Sequence, residues 1–112
     1  MYITSVKESV QVQREMEIID YGQSLSELMY SQATNYNDFP TEYGNLNDVT
    51  NPATRLNYET KTGGMLYATI QISPEKPLIL GEKGRVATIT IFEKNNGEYI
   101  QKGRFFAAIT PM

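Results

Sequence analysis

Three runs between residues 86 and 109 decide the fold. Val86-Ala87-Thr88-Ile89-Thr90-Ile91-Phe92 is dense in β-branched side chains, and Asn95-Asn96-Gly97 is a hairpin-turn signal. The chain then returns through Arg104-Phe105-Phe106-Ala107-Ala108-Ile109. Two registers compete at this turn. A two-residue Asn96-Gly97 turn pairs Ile91 with Lys102 and Ile89 with Arg104, mixing apolar and charged side chains on one face. A three-residue loop with Gly97 at the positive-φ position pairs Phe92 with Ile100 and Ala87 with Phe105, and this register is preferred. Gly103 interrupts the return strand and reads as a bulge.

Working back from that hairpin, Leu66, Ala68, Ile70 and Ile72 alternate with Tyr67, Thr69 and Gln71, the period of a half-buried strand. Ser73-Pro74-Glu75-Lys76-Pro77 breaks it, a short apolar Leu78-Ile79-Leu80 follows, and Gly81-Glu82-Lys83-Gly84 turns into the next strand. Residues 55–60, closed by Lys61-Thr62-Gly63-Gly64, are the expected partner of the strand opening at Met65. Neither glycine turn has the P-loop spacing.

Residues 35–54 are dominated by Asn, Asp, Gly and Pro, which favour turns. Their aromatic content argues for a pinned loop rather than a flexible linker. Further back, Val10, Val12, Met16 and Ile18 stand at even positions between Gln11, Gln13, Glu15 and Glu17. This alternation predicts a strand, with a hairpin partner around Tyr2 to Val6. Ser24-Leu25-Ser26-Glu27 has the spacing of a capping box. With Leu25, Leu28, Met29 and Ala33 on one face, it predicts a short helix over about 24–34. The expected architecture is one α+β domain over 1–112, mainly antiparallel β. It is a five- or six-stranded meander or partly closed barrel with one short helix and a long irregular loop at about 35–54.

The 112 residues include neither cysteine nor histidine. Thiolate metal sites, disulfides and the commonest general base are thereby excluded, and no enzyme, metal or cofactor is expected. Glu15 and Glu17 read as solvated carboxylates. Asn45, Asn47, Asp48 and Asn51 cluster oxygens, but without the spacing of a calcium loop. No 18-residue apolar run and no signal-peptide pattern appear, so a cytoplasmic or virion location is expected. Residues 1–54 carry two basic and eight acidic groups, while residues 55–112 carry eight basic and five acidic, leaving the halves at −6 and +3. If the halves pack together, those fields are expected to cancel in large part.

Function then rests on binding. Eight tyrosines and four phenylalanines are many for so small a domain, and tyrosine favours interfaces. The first expectation is an interaction or assembly protein, an oligomer or part of a larger complex, contacting its partner through Tyr36, Phe39, Tyr43, Asn45 and Asn47. A small phage or mobile-element component fits such a chain. The alternative is a single-stranded nucleic-acid binder using Lys83, Arg85, Lys102, Arg104 and Phe106, since cations beside aromatics hold phosphates and stack bases. Lys102-Gly103 resembles the opening of the octamer on RNA-reading sheets. However, Arg104 stands where that pattern has an aromatic, and Phe105 where it has a small residue. A third expectation is a small-ligand or carbohydrate binder, with Tyr36 and Tyr43 as stacking platforms.

Overall fold

The computed structural model describes residues 2–61, 63–78 and 81–111, with side chains from residue 13 onward. A long helix α1 (Tyr2–Tyr30) leads into a 3₁₀ turn (Ser31–Asn35), a short helix α2 (Phe39–Tyr43) and a second 3₁₀ turn (Pro52–Thr54). Five strands follow: β1 (Leu56–Glu59), β2 (Met65–Ile72), β3 (Lys76–Pro77), β4 (Lys83–Asn95) and β5 (Glu98–Ile109). Every pairing is antiparallel, with β2 between β1 and β4, and β5 on the other side of β4. The two-residue β3 continues along β4 beyond the end of β2, pairing Lys76 with Gly84. The sheet is open, with β1 and β5 at opposite edges, so the α+β antiparallel meander stands and the barrel does not.

The expected strand over residues 10–18 is helix instead. Met16 is 56% exposed while Ile18 is buried, so the two do not share a face as strand alternation requires. The period that counts is Ile18, Tyr21, Leu25 and Met29, spaced three, four and four, which makes one helical stripe on the sheet. Glu, Gln, Arg and Met among these residues all favour helix, and no glycine or proline precedes Gly22. The supposed capping box lies inside α1, where the Ser26 hydroxyl donates to the Gly22 carbonyl at 2.9 Å. The hairpin expected to open at Tyr2 likewise falls within α1, and the side chains of Val10 and Val12 lie outside the described residues.

Gly22 is where α1 approaches the sheet most closely. A methyl group there would collide with the Phe105 ring on β5, so the absence of a side chain is what admits the ring. Below the helix, Leu66, Ala68 and Ile70 of β2, Ala87, Ile89 and Ile91 of β4, and Ala107 and Ile109 of β5 complete the core.

The β4–β5 register corrects the preferred one. Asn95 pairs with Glu98, leaving a two-residue turn in which Asn96 (φ 52°) and Gly97 (φ 80°) both take positive φ. That is the combination whose twist matches a hairpin. The conflict this register created is removed by the bulge. Phe92 pairs with Gln101 and Ile91 with Gly103, so Lys102 is the extra residue, and from there Ile89 faces Phe105 and Ala87 faces Ala107. The glycine turns at Gly63 and Gly81 also take positive φ. Thr62, Ile79 and Leu80 lie outside the described residues, and with them most of the expected Leu78–Leu80 run.

Candidate functional site

With α1 on one face, the other face of the sheet is open, and alternation determines what it presents. Thr69 and Gln71 of β2, Thr88, Thr90 and Phe92 of β4, and Gln101, Arg104 and Phe106 of β5 meet across the strands, in pairs such as Thr90–Arg104 and Thr88–Phe106. An antiparallel sheet with one wet face ordinarily shows such threonines and glutamines. Phe106 does not belong to that pattern, since its ring is 62% exposed.

These side chains line a groove of about 470 Å³, walled on the far side by Asn47, Asp48 and Val49. Beyond Phe106 lies a second depression of about 570 Å³, reached by Lys76 and Ser73 and sharing Gln71 and Thr88 with the first. Phe106 is thus a ridge between two hollows.

The groove's wall is built by the loop predicted to be pinned. Phe39 and Tyr36 are buried and anchor its start. The Leu46 carbonyl accepts from the Ile70 amide at 2.7 Å, continuing the sheet edge past the start of β1. One Asp48 carboxylate oxygen accepts from both the Thr50 amide (3.0 Å) and the Thr50 hydroxyl (2.6 Å), and these bonds hold its pKa below the usual carboxylate value. The Asn51 side chain accepts from the Ala53 amide at 3.0 Å, capping the second 3₁₀ turn. The clustered Asn and Asp oxygens are therefore turn formers, and among the described residues no group of three or more acidic residues could hold a metal ion.

At one end of the open face, the Arg55 guanidinium lies 4.2 Å from the Tyr67 ring centroid and 5.4 Å from that of Tyr99. The two rings meet edge to face at 5.4 Å. Arg55 also donates to the Tyr99 hydroxyl at 2.5 Å and to the Val49 carbonyl at 3.0 Å, tying the loop to the sheet. Arg104, by contrast, makes one long hydrogen bond, to Gln101 at 3.3 Å, and is exposed.

The residues expected to bind a partner separate. Phe39 and Tyr36 belong to the core, Tyr43 packs against it, and Asn45 is exposed; Asn47 alone of the five reaches the groove. Burial removes Phe39 and Tyr36 from any contact surface, and it removes Tyr36 as a stacking platform for a sugar.

The basic set separates too. Arg104 and Phe106 share the open face, as expected, and Lys102 sits in the bulge. Lys83 and Arg85 occupy odd positions of β4, like the core residues Ala87, Ile89 and Ile91, and so do not join that face. The Arg85 guanidinium instead donates to the Ser73 carbonyl at 3.2 Å and lies 5.4 Å from the Tyr36 ring. The Tyr36 hydroxyl donates to Glu75 at 2.9 Å, and its pKa is raised, by burial first and then by that carboxylate. Arg85 is therefore a fastener of the loop. Sequence reading missed the wall at Asp48 and Val49 and the threonine floor, because only the fold brings them opposite Phe106.

In chemical terms, the groove offers the rings of Phe92 and Phe106, the Arg104 guanidinium, the Asp48 carboxylate, and threonine hydroxyls with side-chain amides. No helix among the described residues is long and apolar enough to cross a membrane. Compared with family models, curated proteins and solved structures, the chain matches none of them.

Proposed function

We propose that this chain is a non-enzymatic assembly protein, acting as an oligomer or within a larger particle, and that the open face of its sheet is the contact surface. The observation that carries the reading is Phe106, a phenylalanine 62% exposed beside Arg104 on a face that no element among the described residues covers. Covering such a ring contributes about 1.5–3 kcal/mol, and aromatic side chains and arginine are the residues that dominate protein contacts. Light scattering over rising concentration tests the reading. The mass is expected to climb above the 12.7 kDa of one chain, and Phe106→Asp to hold it there. A mass that stays at one chain up to about 1 mM, where even contacts of roughly 4 kcal/mol register, together with no partner retained on pull-down, refutes it.

One observation favours a second reading. Arg104, Phe106 and Phe92 share the open face with Lys94, whose ammonium lies 5.4 Å from the Tyr99 ring centroid, and single strands bind to such mixtures of stacking and charge. Salt-sensitive binding of an oligonucleotide, lost in Arg104→Glu, is its signature. No binding at low salt dismisses it.

A further inference from the structure

The assembly reading leaves the partner open, and the layout of charge identifies one. We infer that the open sheet face receives the outward side of α1 from a second copy of this chain, in a head-to-tail contact. This inference rests on the assembly reading and specifies its partner.

The outward side of α1 carries three large apolar side chains among its polar ones, with exposed Gln23 and Glu27 between them. Met16 (56% exposed), Ile19 (47%) and Tyr30 (53%) lie on one stripe, opposite the buried Ile18, Leu25 and Met29. Exposed Glu15, Asp20 and Glu27 flank that stripe, and residues 15–30 contain no cation. The open sheet face is cationic on balance: Phe106 projects from it, with exposed Arg104, Lys94 and Lys76 around it against the single carboxylate of Asp48 in the groove wall.

Charge decides between the possible pairings. Two copies joined helix to helix would set Glu15, Asp20 and Glu27 against their own equivalents. Two copies joined sheet to sheet would do the same to Arg104 and Lys94. Only the crossed arrangement brings the acidic flanks against the cations, and like charges brought together suppress the other two. Shape agrees with this choice. The groove spans β2, β4 and β5, which is about 10 Å across at ordinary strand spacing, and a helix with its side chains is about 10–12 Å wide.

Because donor and acceptor surfaces lie on opposite layers of one chain, each bound copy leaves both kinds of surface free at the ends. Such a contact propagates until it closes a ring or grows a filament.

Sedimentation velocity on two variants and their mixture tests this. Ile19→Asp damages only the helix surface and Arg104→Glu only the sheet surface. Both positions are solvent-exposed, and matching circular dichroism with the unmodified chain checks the fold, with Met16→Asp as a second helix-surface variant. The unmodified chain is expected to form species of at least twice the monomer mass, weakening as salt rises from about 0.1 M to about 1 M. Each variant alone should be monomeric. The equimolar mixture should recover a 1:1 dimer and nothing longer, because one intact helix surface then meets one intact sheet surface.

A mixture that stays monomeric overturns the inference. So does loss of association in Ile19→Asp alone, which is the result for helix-to-helix pairing. Loss in Arg104→Glu alone also overturns it while leaving the assembly reading in place. An unmodified chain that is monomeric throughout overturns the inference, and if it also retains no other partner on pull-down it removes the assembly reading; an oligonucleotide retarded by that monomer but not by Arg104→Glu assigns the face to nucleic acid.

Discussion

Replacing Gly22 by alanine sets helix propensity against packing, with opposite signs. In an exposed helix, the change from glycine to alanine stabilises by about 0.8–1 kcal/mol. In α1 the new methyl group would stand well inside 3.0 Å of three carbons of the Phe105 ring, against ordinary contacts of 3.4 Å and more, so the ring or the helix must shift. Overpacking of this kind costs about 1–3 kcal/mol. The cost exceeds the propensity gain over most of its range, so Gly22→Ala is expected to lose up to about 2 kcal/mol, with a fall in Tm of several degrees for a domain of this size. Urea unfolding followed by circular dichroism measures it, and Phe105→Ala provides the second side of a cycle. The double variant should lose less than the two singles together, by about 0.5–3 kcal/mol. A Gly22→Ala chain more stable than the original by the propensity value would mean that α1 does not sit on β5 at this point, and the layered architecture would have to be revised.

The other expectations concern titration, the turn and the bulge. Burial, with the neighbouring Tyr58 as a lesser cause, pushes the Tyr21 hydroxyl up from 10.0 to about 12. The unfolded chain therefore loses this proton first. The stabilisation is complete below about pH 10 and is lost as pH rises through about 12, by up to roughly 2–3 kcal/mol before the discount that partial solvation of the hydroxyl imposes. Tyr21→Phe should remove that part of the decline, and a pH-independent difference between the two proteins over this window would contradict it. At the hairpin, Gly97 has φ 80° and open space around it, so Gly97→Ala should cost about 1–2 kcal/mol from backbone strain alone. A neutral substitution in urea unfolding would speak against the two-residue turn. Deleting Lys102 should be tolerated with protected amides retained over residues 103–107 in hydrogen exchange, because Gln101 and Gly103 already oppose consecutive residues of β4. Unfolding on this deletion would show that the bulge is required.

Legibility followed the spacing of the apolar residues. Leu66, Ala68 and Ile70 alternate in sequence and are buried in structure, because a strand with one wet face writes its period directly into the chain. The long helix hid itself, because Met16 is apolar on its exposed side. With Val10, Val12 and Ile18 it made a false period of two that masked the true stripe of Ile18, Tyr21, Leu25 and Met29. The hairpin was misread for a related reason. Register was chosen to keep apolar partners together through the turn, whereas the chain takes the turn geometry that Asn96-Gly97 prefers and restores the partners five residues later with Lys102. Of the groove, Arg104 and Phe106 were legible through strand parity. Their separation from Lys83 and Arg85 follows from the same parity, and the wall at 47–49 depends on contacts distant in sequence.

The charge asymmetry needs a different reading once the layers are known. If the two halves intermingled, the −6 and +3 would cancel within a screening length. Instead, residues 13–30 form one layer and the strands the other, and the Cα positions span 18 Å along the shortest axis. In the solvent outside each face, screening lengths are about 8 Å at physiological ionic strength, so a copy approaching one face meets chiefly the charges of that face. Arg14 and Glu93 do meet between the layers at 2.8 Å, but that pair is partly exposed and is worth about 1 kcal/mol at most. Glu15, Asp20 and Glu27 therefore set the field on one side, and Arg104, Lys94 and Lys76 outweigh Asp48 on the other. A molecule with two oppositely charged faces attracts its own copies in the crossed orientation before any contact forms. The salt dependence of the association rate, rather than of the dissociation rate, is where that attraction should be seen. A dissociation rate that carried all of the salt effect would place the charges inside the contact, and would rule out steering by the two faces.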